Sequence, residues 1–127
     1  MDSGIGQKYE KTLLLVDDSH DLRQVLADFL TSKGFVVLQA SSGLAALAIL
    51  QEHAVDIIIS DIQMPDGDGF ALLRELPASS PSHPPVVFMS GNVTLGVDDM
   101  KKMGVSHFIS KPFDSNVMLL AITTLMA

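Results

Sequence analysis

Short apolar runs alternate along this chain with segments in which apolar residues recur every three or four positions. The runs are typical of buried strands, whereas the wider spacing predicts amphipathic helices. We therefore predict five strands, over residues 13–16, 35–38, 55–60, 86–89 and 107–110. We also predict five helices, over residues 22–30, 44–50, 70–76, 97–103 and 114–125.

The first predicted helix has clear ends and a clear apolar side. Ser19 precedes it as a candidate N-cap, and Gly34 follows it as a candidate C-cap. Arg23 falls on a polar face of this helix. The apolar stripe that should face the core consists of Leu22, Val25, Leu26, Phe29 and Leu30.

Regular alternation of strands and helices indicates the fold class. It predicts an α/β domain in which helices cover both faces of a parallel sheet. A length of 127 residues is that of one domain. We expect residues 1–11 to form a loose, polar lead-in and residues 12–127 to form the domain.

Composition excludes several classes of protein. The net charge of −7 disfavours direct binding to nucleic acid or to an anionic membrane surface. No apolar run approaches the roughly 20 residues that cross a bilayer, and the first residues lack the features of a signal peptide. The absence of cysteine excludes disulfides and thiolate metal sites. We therefore expect a cytoplasmic protein that makes no membrane contact.

Residues of the types that bind ligands and take part in catalysis lie where the predicted strands end. The carboxyl ends of parallel strands line the ligand crevice of an open sheet, so these side chains should meet there. Converging carboxylates suit a hard cation such as Mg²⁺. The strand-end residues are Asp17 and Asp18, Asp61, Ser90, and Lys111.

These residues and their surroundings resemble the receiver domain of two-component response regulators. The stretch from Asp61 to Gly69 matches the pattern D-I-x-M-P-x-x-D-G, and Lys111-Pro112 matches the family's lysine-proline pair. The similarity extends from about Thr12 to Leu125. It implies a flavodoxin-like, doubly wound (βα)5 fold with the strand order 2-1-3-4-5.

The resemblance also implies a role for each site residue. Asp61 would be the phosphoacceptor, assisted by Lys111 and by the hydroxyl of Ser90. Ser90 and Phe108 would form the switch that carries the signal. Mg²⁺, or Mn²⁺, would be held by Asp17, Asp18, Asp61 and the backbone carbonyl of Gln63, with Asp18 a direct ligand and Asp17 more often a ligand through water. The peptide bond between Lys111 and Pro112 would be cis, as is usual in the family.

The implied function is that of a signalling switch, not of an enzyme acting on other molecules. The phosphoryl group would come from a histidine kinase or a phosphotransfer protein and would be lost by hydrolysis. The phosphorylated form would act on a downstream protein or on a fused output domain, with a phosphorylation-dependent homodimer as one option. The sequence names neither the kinase nor the target.

Other interpretations of the same residues are open to test. Asp17 and Asp18 suit helix N-capping, and the four histidines lack metal-ligand spacing. A calcium loop starting at Met64 fails because that first position offers no carboxylate and a strand precedes it. A serine nucleophile elbow at Ser90 fails because Phe88 and Asn92 replace its glycines. The best alternative of a different class is a flavodoxin-like hydrolase or phosphatase with an aspartate nucleophile, which would need an insertion to cover its substrate.

Overall fold

The computed structural model describes residues 11–64, 69–75, 84–91 and 96–126. The predicted lead-in over residues 1–11 therefore lies almost entirely outside the described residues. The elements follow one another as β1 Thr12–Val16, α1 His20–Ser32, β2 Val36–Ala40, α2 Gly43–Glu52, β3 Ile57–Asp61, α3 Gly69–Glu75, β4 Val86–Ser90, α4 Val97–Met103, β5 His107–Ser110 and α5 Ser115–Met126.

The five strands form one sheet in which every neighbouring pair is parallel. Their order is β2-β1-β3-β4-β5, so the predicted fold class and strand order are confirmed. The central strands align so that Leu14 lies opposite Ile58, and Ile58 lies opposite Val86. Ends of β1, β3, β4 and β5 therefore meet along one edge of the sheet.

Two apolar cores, one on each face of the sheet, hold the helices in place. Because side chains alternate along a strand, Leu13 and Leu15 enter one core while Leu14 and Val16 enter the other. The first core joins the sheet to α1 and α5, and the second joins it to α2, α3 and α4. This double covering explains why the strands appear in the sequence as continuous apolar runs.

Two predicted strands start later than expected, because local hydrogen bonds hold the preceding residues. The amide of Phe35 donates to the carbonyl of Leu30 at 3.3 Å, so this residue closes the turn that follows α1. Asp56 donates its amide to the Thr12 carbonyl and accepts the Thr12 amide on its side chain, at 2.8 Å in both cases. Asp56 therefore precedes β3 and joins it to the start of β1.

Helix α1 starts as predicted, and every residue of its predicted apolar stripe except Val25 packs on the core. The hydroxyl of Ser19 accepts the Leu22 amide at 3.4 Å, as an N-cap does. The C-cap is Lys33 instead of Gly34, and Gly34 follows with a φ of 101°, a left-handed conformation that glycine adopts without steric cost. Val25 is 60% exposed, because the buried stripe of the helix is centred between Leu26 and Leu30 and extends to Ala27 on the other side.

Within the described ranges, none of the helices combines the length and the apolar character needed to cross a membrane.

Candidate functional site

The predicted site residues meet at the carboxyl edge of the sheet. Asp17 directly follows β1 and is held there by its amide, which donates to the carbonyl of Ala40 at 3.1 Å. Asp61 and Ser90 are the last residues of β3 and β4. Lys111 directly follows β5, where its amide donates to the Ser90 carbonyl at 2.8 Å. Backbone hydrogen bonds of the sheet therefore place the acids, the hydroxyl and the lysine beside one another.

Lys111 connects two of the carboxylates. Its Nζ lies 3.1 Å from Oδ2 of Asp61 and 3.3 Å from Oδ2 of Asp17. Burial lowers the pKa of Lys111, but the negative charge of Asp17 and the hydrogen bond to Asp61 outweigh that effect and leave the pKa above 10.5. The ammonium group is therefore charged at neutral pH and lies within hydrogen-bonding distance of both acids.

Asp17 is the most enclosed of the acids, since none of its surface is exposed. Its Oδ1 accepts the Ser19 amide at 2.8 Å, and its Oδ2 accepts from Lys111. Burial raises the pKa of Asp17 above 3.8 even though these hydrogen bonds and the lysine charge act in the opposite direction. Ionised Asp17 is thus less favourable here than it would be in water.

Three carboxylates form a group that suits a divalent cation. Asp17, Asp18 and Asp61 each offer one oxygen, and these oxygens all lie within 4.8 Å of one another. Asp18 is exposed, so a cation can reach the group from solvent. Carboxylate oxygens and access for water are what Mg²⁺ or Mn²⁺ requires, and the residues present therefore fit the expected metal.

Gln63 extends this region on the side of β3. Its amide donates to Oδ1 of Asp61 at 3.2 Å, so the two oxygens of Asp61 have different partners. The side chain of Gln63 is exposed. The role of its backbone carbonyl as a metal ligand stays a prediction.

Ser90 and Phe108 lie on neighbouring strands, and Ser90 is more deeply buried than Phe108. Ser90 is only 2% exposed and occupies the site edge of β4. Phe108 lies opposite Phe88 in the register of β4 and β5, and is half-buried against the core that also contains Met100 and Met103 of α4. Phe108 therefore lies on the face of the sheet that α4 covers.

The peptide bond between Lys111 and Pro112 is cis, as the resemblance implied.

Arg23 belongs to the site region, which the sequence pattern alone did not indicate. Its Nη1 donates to the backbone carbonyl of Asp17 at 2.7 Å. The sequence pattern assigned this residue only to a polar helix face. A basic residue one turn into the helix that follows the acidic pair is the signal that could have identified it, because such a side chain reaches back to the preceding turn.

Comparison with known proteins relates the chain to one family in sequence and in structure. Residues 13–123 match the family model described as response regulator receiver domain. The transcriptional regulatory protein GlrR of Escherichia coli (strain K12) is 34% identical over 110 residues, which are 87% of this chain and 25% of GlrR. The chemotaxis protein CheY of Bacillus subtilis (strain 168) is 32% identical over 111 residues, which are 87% of this chain and 92% of CheY.

A solved structure supports the same relationship. The chemotaxis response regulator CheY4 of Vibrio cholerae is similar with a TM-score of 0.81 and 28% sequence identity, and the match covers 92% of this chain and 99% of that one. This chain spans most of the CheY proteins but only about a quarter of the length of GlrR.

Proposed function

This chain belongs to the family of response regulator receiver domains, and we propose that it is a phosphoacceptor switch with Asp61 as the phosphoacceptor. The observation that carries the proposal is the approach of Lys111 Nζ to 3.1 Å from Oδ2 of Asp61, within a group of three carboxylates. A phosphoryl group on Asp61 would add negative charge beside the ammonium group of Lys111, which the fold already holds in position.

In the proposed reaction, a carboxylate oxygen of Asp61 attacks the phosphorus of the donor. A bond forms between that oxygen and phosphorus while the bond from phosphorus to the donor's imidazole nitrogen breaks, and the imidazole leaves. Hydrolysis returns the domain to its unphosphorylated state. In this step a water molecule attacks phosphorus, the bond from phosphorus to the Asp61 oxygen breaks, and inorganic phosphate leaves. The domain thus promotes only its own phosphorylation and dephosphorylation.

The surrounding residues make this transfer favourable by placing charge. Lys111 contributes an ammonium group that stays protonated at neutral pH. Asp17, Asp18 and Asp61 would hold Mg²⁺ or Mn²⁺, together with the Gln63 backbone carbonyl, and the cation would neutralise charge on the phosphoryl oxygens. Asp17 and Asp18 would bind and orient that cation and would form no bond to phosphorus.

The proposed output begins at Ser90 and Phe108. The phosphoryl group accepts a hydrogen bond from the hydroxyl of Ser90 and draws this hydroxyl inward. Its movement vacates space beside β4, and the Phe108 ring turns inward to fill that space. Phe108 already packs against the core that α4 shares, so its movement alters the surface formed by α4, β5 and α5. A phosphoryl group on Asp61 shifts the equilibrium between the resting and the rearranged forms only because it interacts more favourably with the rearranged form.

The partners follow from the proposed role. The donor is a histidine kinase or a phosphotransfer protein, and the recipient of the signal is a downstream protein or an output domain of a longer chain. A phosphorylation-dependent homodimer is one form the output could take. The expected location is the cytoplasm, with no direct contact with nucleic acid or membrane.

Acetyl phosphate, a small phosphodonor, tests this proposal without knowledge of the kinase. With Mg²⁺ present, intact-mass spectrometry should detect one added phosphoryl group that is lost on acid treatment. Asp61→Asn should remain unlabelled, whereas Asp56→Asn, a control at the opposite end of β3, should be labelled like the wild type. Equal labelling of Asp61→Asn and the wild type would exclude Asp61 as the acceptor. Steady release of phosphate from diverse phosphate esters would instead favour a hydrolase.

A further inference from the structure

We infer that Arg23 is a positioning residue for the acidic pair, one that fixes the turn carrying Asp17 and Asp18 and thereby sets the affinity for the divalent cation. This inference rests on the proposed function, because it assumes that the pair holds a cation. It assigns to Arg23 no contact with the cation or with the phosphoryl group.

The guanidinium group of Arg23 joins three parts of the fold. Its Nη1 donates to the Asp17 carbonyl at 2.7 Å, and its Nε donates to Oε1 of Gln39 on β2 at 3.1 Å. Its Nη2 lies 3.3 Å from Nδ1 of His20 at the start of α1. Arg23 is itself half-buried. The side chain therefore links the turn after β1 to the neighbouring strand and to the helix that follows.

The bond to the Asp17 carbonyl controls the direction of Asp18. This carbonyl and the amide of Asp18 belong to one planar peptide unit, so holding the oxygen orients the next Cα as well. The Asp17 amide is bound to Ala40, and the Ser19 amide is bound to Oδ1 of Asp17. Arg23 thus holds the peptide unit that lies between these two anchored amides, and Asp18 projects from it.

Charge and position have opposite effects on cation binding, which makes the inference testable. A positive charge on Arg23 near the acids repels a cation, so its removal would strengthen Mg²⁺ binding if charge were its only contribution. Loss of a hydrogen bond that orients ligand residues weakens metal binding, by about tenfold to a hundredfold in other sites. The sign of the change therefore separates the two roles.

We would measure Mg²⁺ affinity by NMR titration of the full chain for the wild type, Arg23→Gln, Arg23→Lys and Lys101→Gln. Arg23→Gln should raise the apparent Kd for Mg²⁺ about tenfold. Arg23→Lys should also weaken binding, because lysine keeps the charge but not the planar fork that reaches Asp17 and Gln39 together. Lys101→Gln removes one positive charge from the exposed surface of α4 and should bind Mg²⁺ as the wild type does.

A measurement without metal tests the positioning directly. In Arg23→Gln, the amide signals of Asp18 and Ser19 should shift and their hydrogen exchange should accelerate, while the amides of β4 remain unchanged. Gln39→Ala, which leaves Arg23 but removes its partner on β2, should produce a smaller change of the same kind. Unchanged amides at Asp18 and Ser19 would contradict the inference.

The outcomes separate this inference from the proposed function. If the wild type binds Mg²⁺ and Arg23→Gln binds it equally well or more tightly, Arg23 is not a positioning residue, and the metal site stands. If the wild type shows no saturable Mg²⁺ binding at the carboxylates, both the metal site and the inference are wrong.

Discussion

Lys111 Nζ lies 3.1 Å from Oδ2 of Asp61, although 50 positions separate the two residues in the sequence. The end of β4 lies between their strands, so the lysine side chain crosses the edge of the sheet to reach the acid. The same Nζ also contacts Asp17. The ammonium group therefore contacts two of the three grouped carboxylates, and the cluster of one lysine and three acids keeps a net negative charge that a divalent cation would offset.

Mg²⁺ should stabilise the folded protein through this group. A ligand that binds only the folded state raises the free energy of unfolding, by ~2.7 kcal/mol at a hundredfold excess over its Kd. We expect a higher melting temperature for the wild type in Mg²⁺, and we expect Asp18→Ala to lose most of that gain. Thermal unfolding monitored by circular dichroism, with and without Mg²⁺, measures both.

Asp21→Ala is the matched control for this experiment. Asp21 is an exposed acid in the first turn of α1 and is not a member of the carboxylate group. Its loss should leave the effect of Mg²⁺ intact. Equal Mg²⁺ stabilisation of the wild type and Asp18→Ala would show that the three acids do not act as a metal site.

Asp17→Asn should raise the free energy of unfolding of the metal-free protein at neutral pH. Burial raises the pKa of Asp17 above 3.8, so the folded protein is stabilised by protonation at this residue and the ionised carboxylate lowers its stability. Asparagine keeps an oxygen that can accept the Ser19 amide but carries no charge to desolvate.

The advantage of Asp17→Asn should depend on pH with a definite sign. As the pH falls through the raised pKa of Asp17 towards 3.8, the wild type becomes protonated there and regains the stability that the variant already has. The difference between the two proteins should therefore be largest at neutral pH and should shrink on acidification. Urea unfolding at several pH values measures it, and a difference that grows on acidification would be incompatible with this account.

Ser90→Ala should separate phosphorylation from its structural readout. The variant should still accept a phosphoryl group on Asp61, but its response at α4 and Phe108 should be weaker, because it lacks the hydroxyl that we propose contacts the phosphoryl group. NMR spectra with and without beryllofluoride, a phosphoryl mimic, report the response. Ser110→Ala is the control, since Ser110 is exposed and lies opposite Ser90 on β5. The proposed coupling is wrong if α4 and Phe108 of the wild type keep their shifts while the surroundings of Asp61 change.

The sequence alone predicted most of the fold because buried parallel strands leave an unmistakable pattern. The segment Ile57–Asp61, for example, begins with three isoleucines and ends on an acid, and that acid lies at the predicted edge of the sheet. The strand order came from the family resemblance, since periodicity does not specify which strands are neighbours. The exact start of β3 was wrong because Asp56 bonds to Thr12, a contact between residues 44 positions apart.

Parts of the site depend on long-range contacts that a sequence pattern does not contain. The pattern places Asp17, Asp61 and Lys111 at strand ends, but only the fold shows that one ammonium group reaches both acids. The contact of Arg23 with the Asp17 carbonyl involves a backbone acceptor, so the residue type at position 17 does not indicate it, and only the position of the basic residue in α1 does. Val25 was placed wrongly because apolar spacing defines a stripe but not how the helix is rotated against its core.

Chemical trapping of the phosphorylated residue tests the central claim most directly. The protein would be incubated with acetyl phosphate and Mg²⁺ and then treated with borohydride, which reduces an acyl phosphate to an alcohol and leaves free carboxylates unchanged. Peptide mass spectrometry then locates the reduced side chain. The account predicts reduction at Asp61 alone; reduction at Asp17 or Asp18 with Asp61 intact would contradict it.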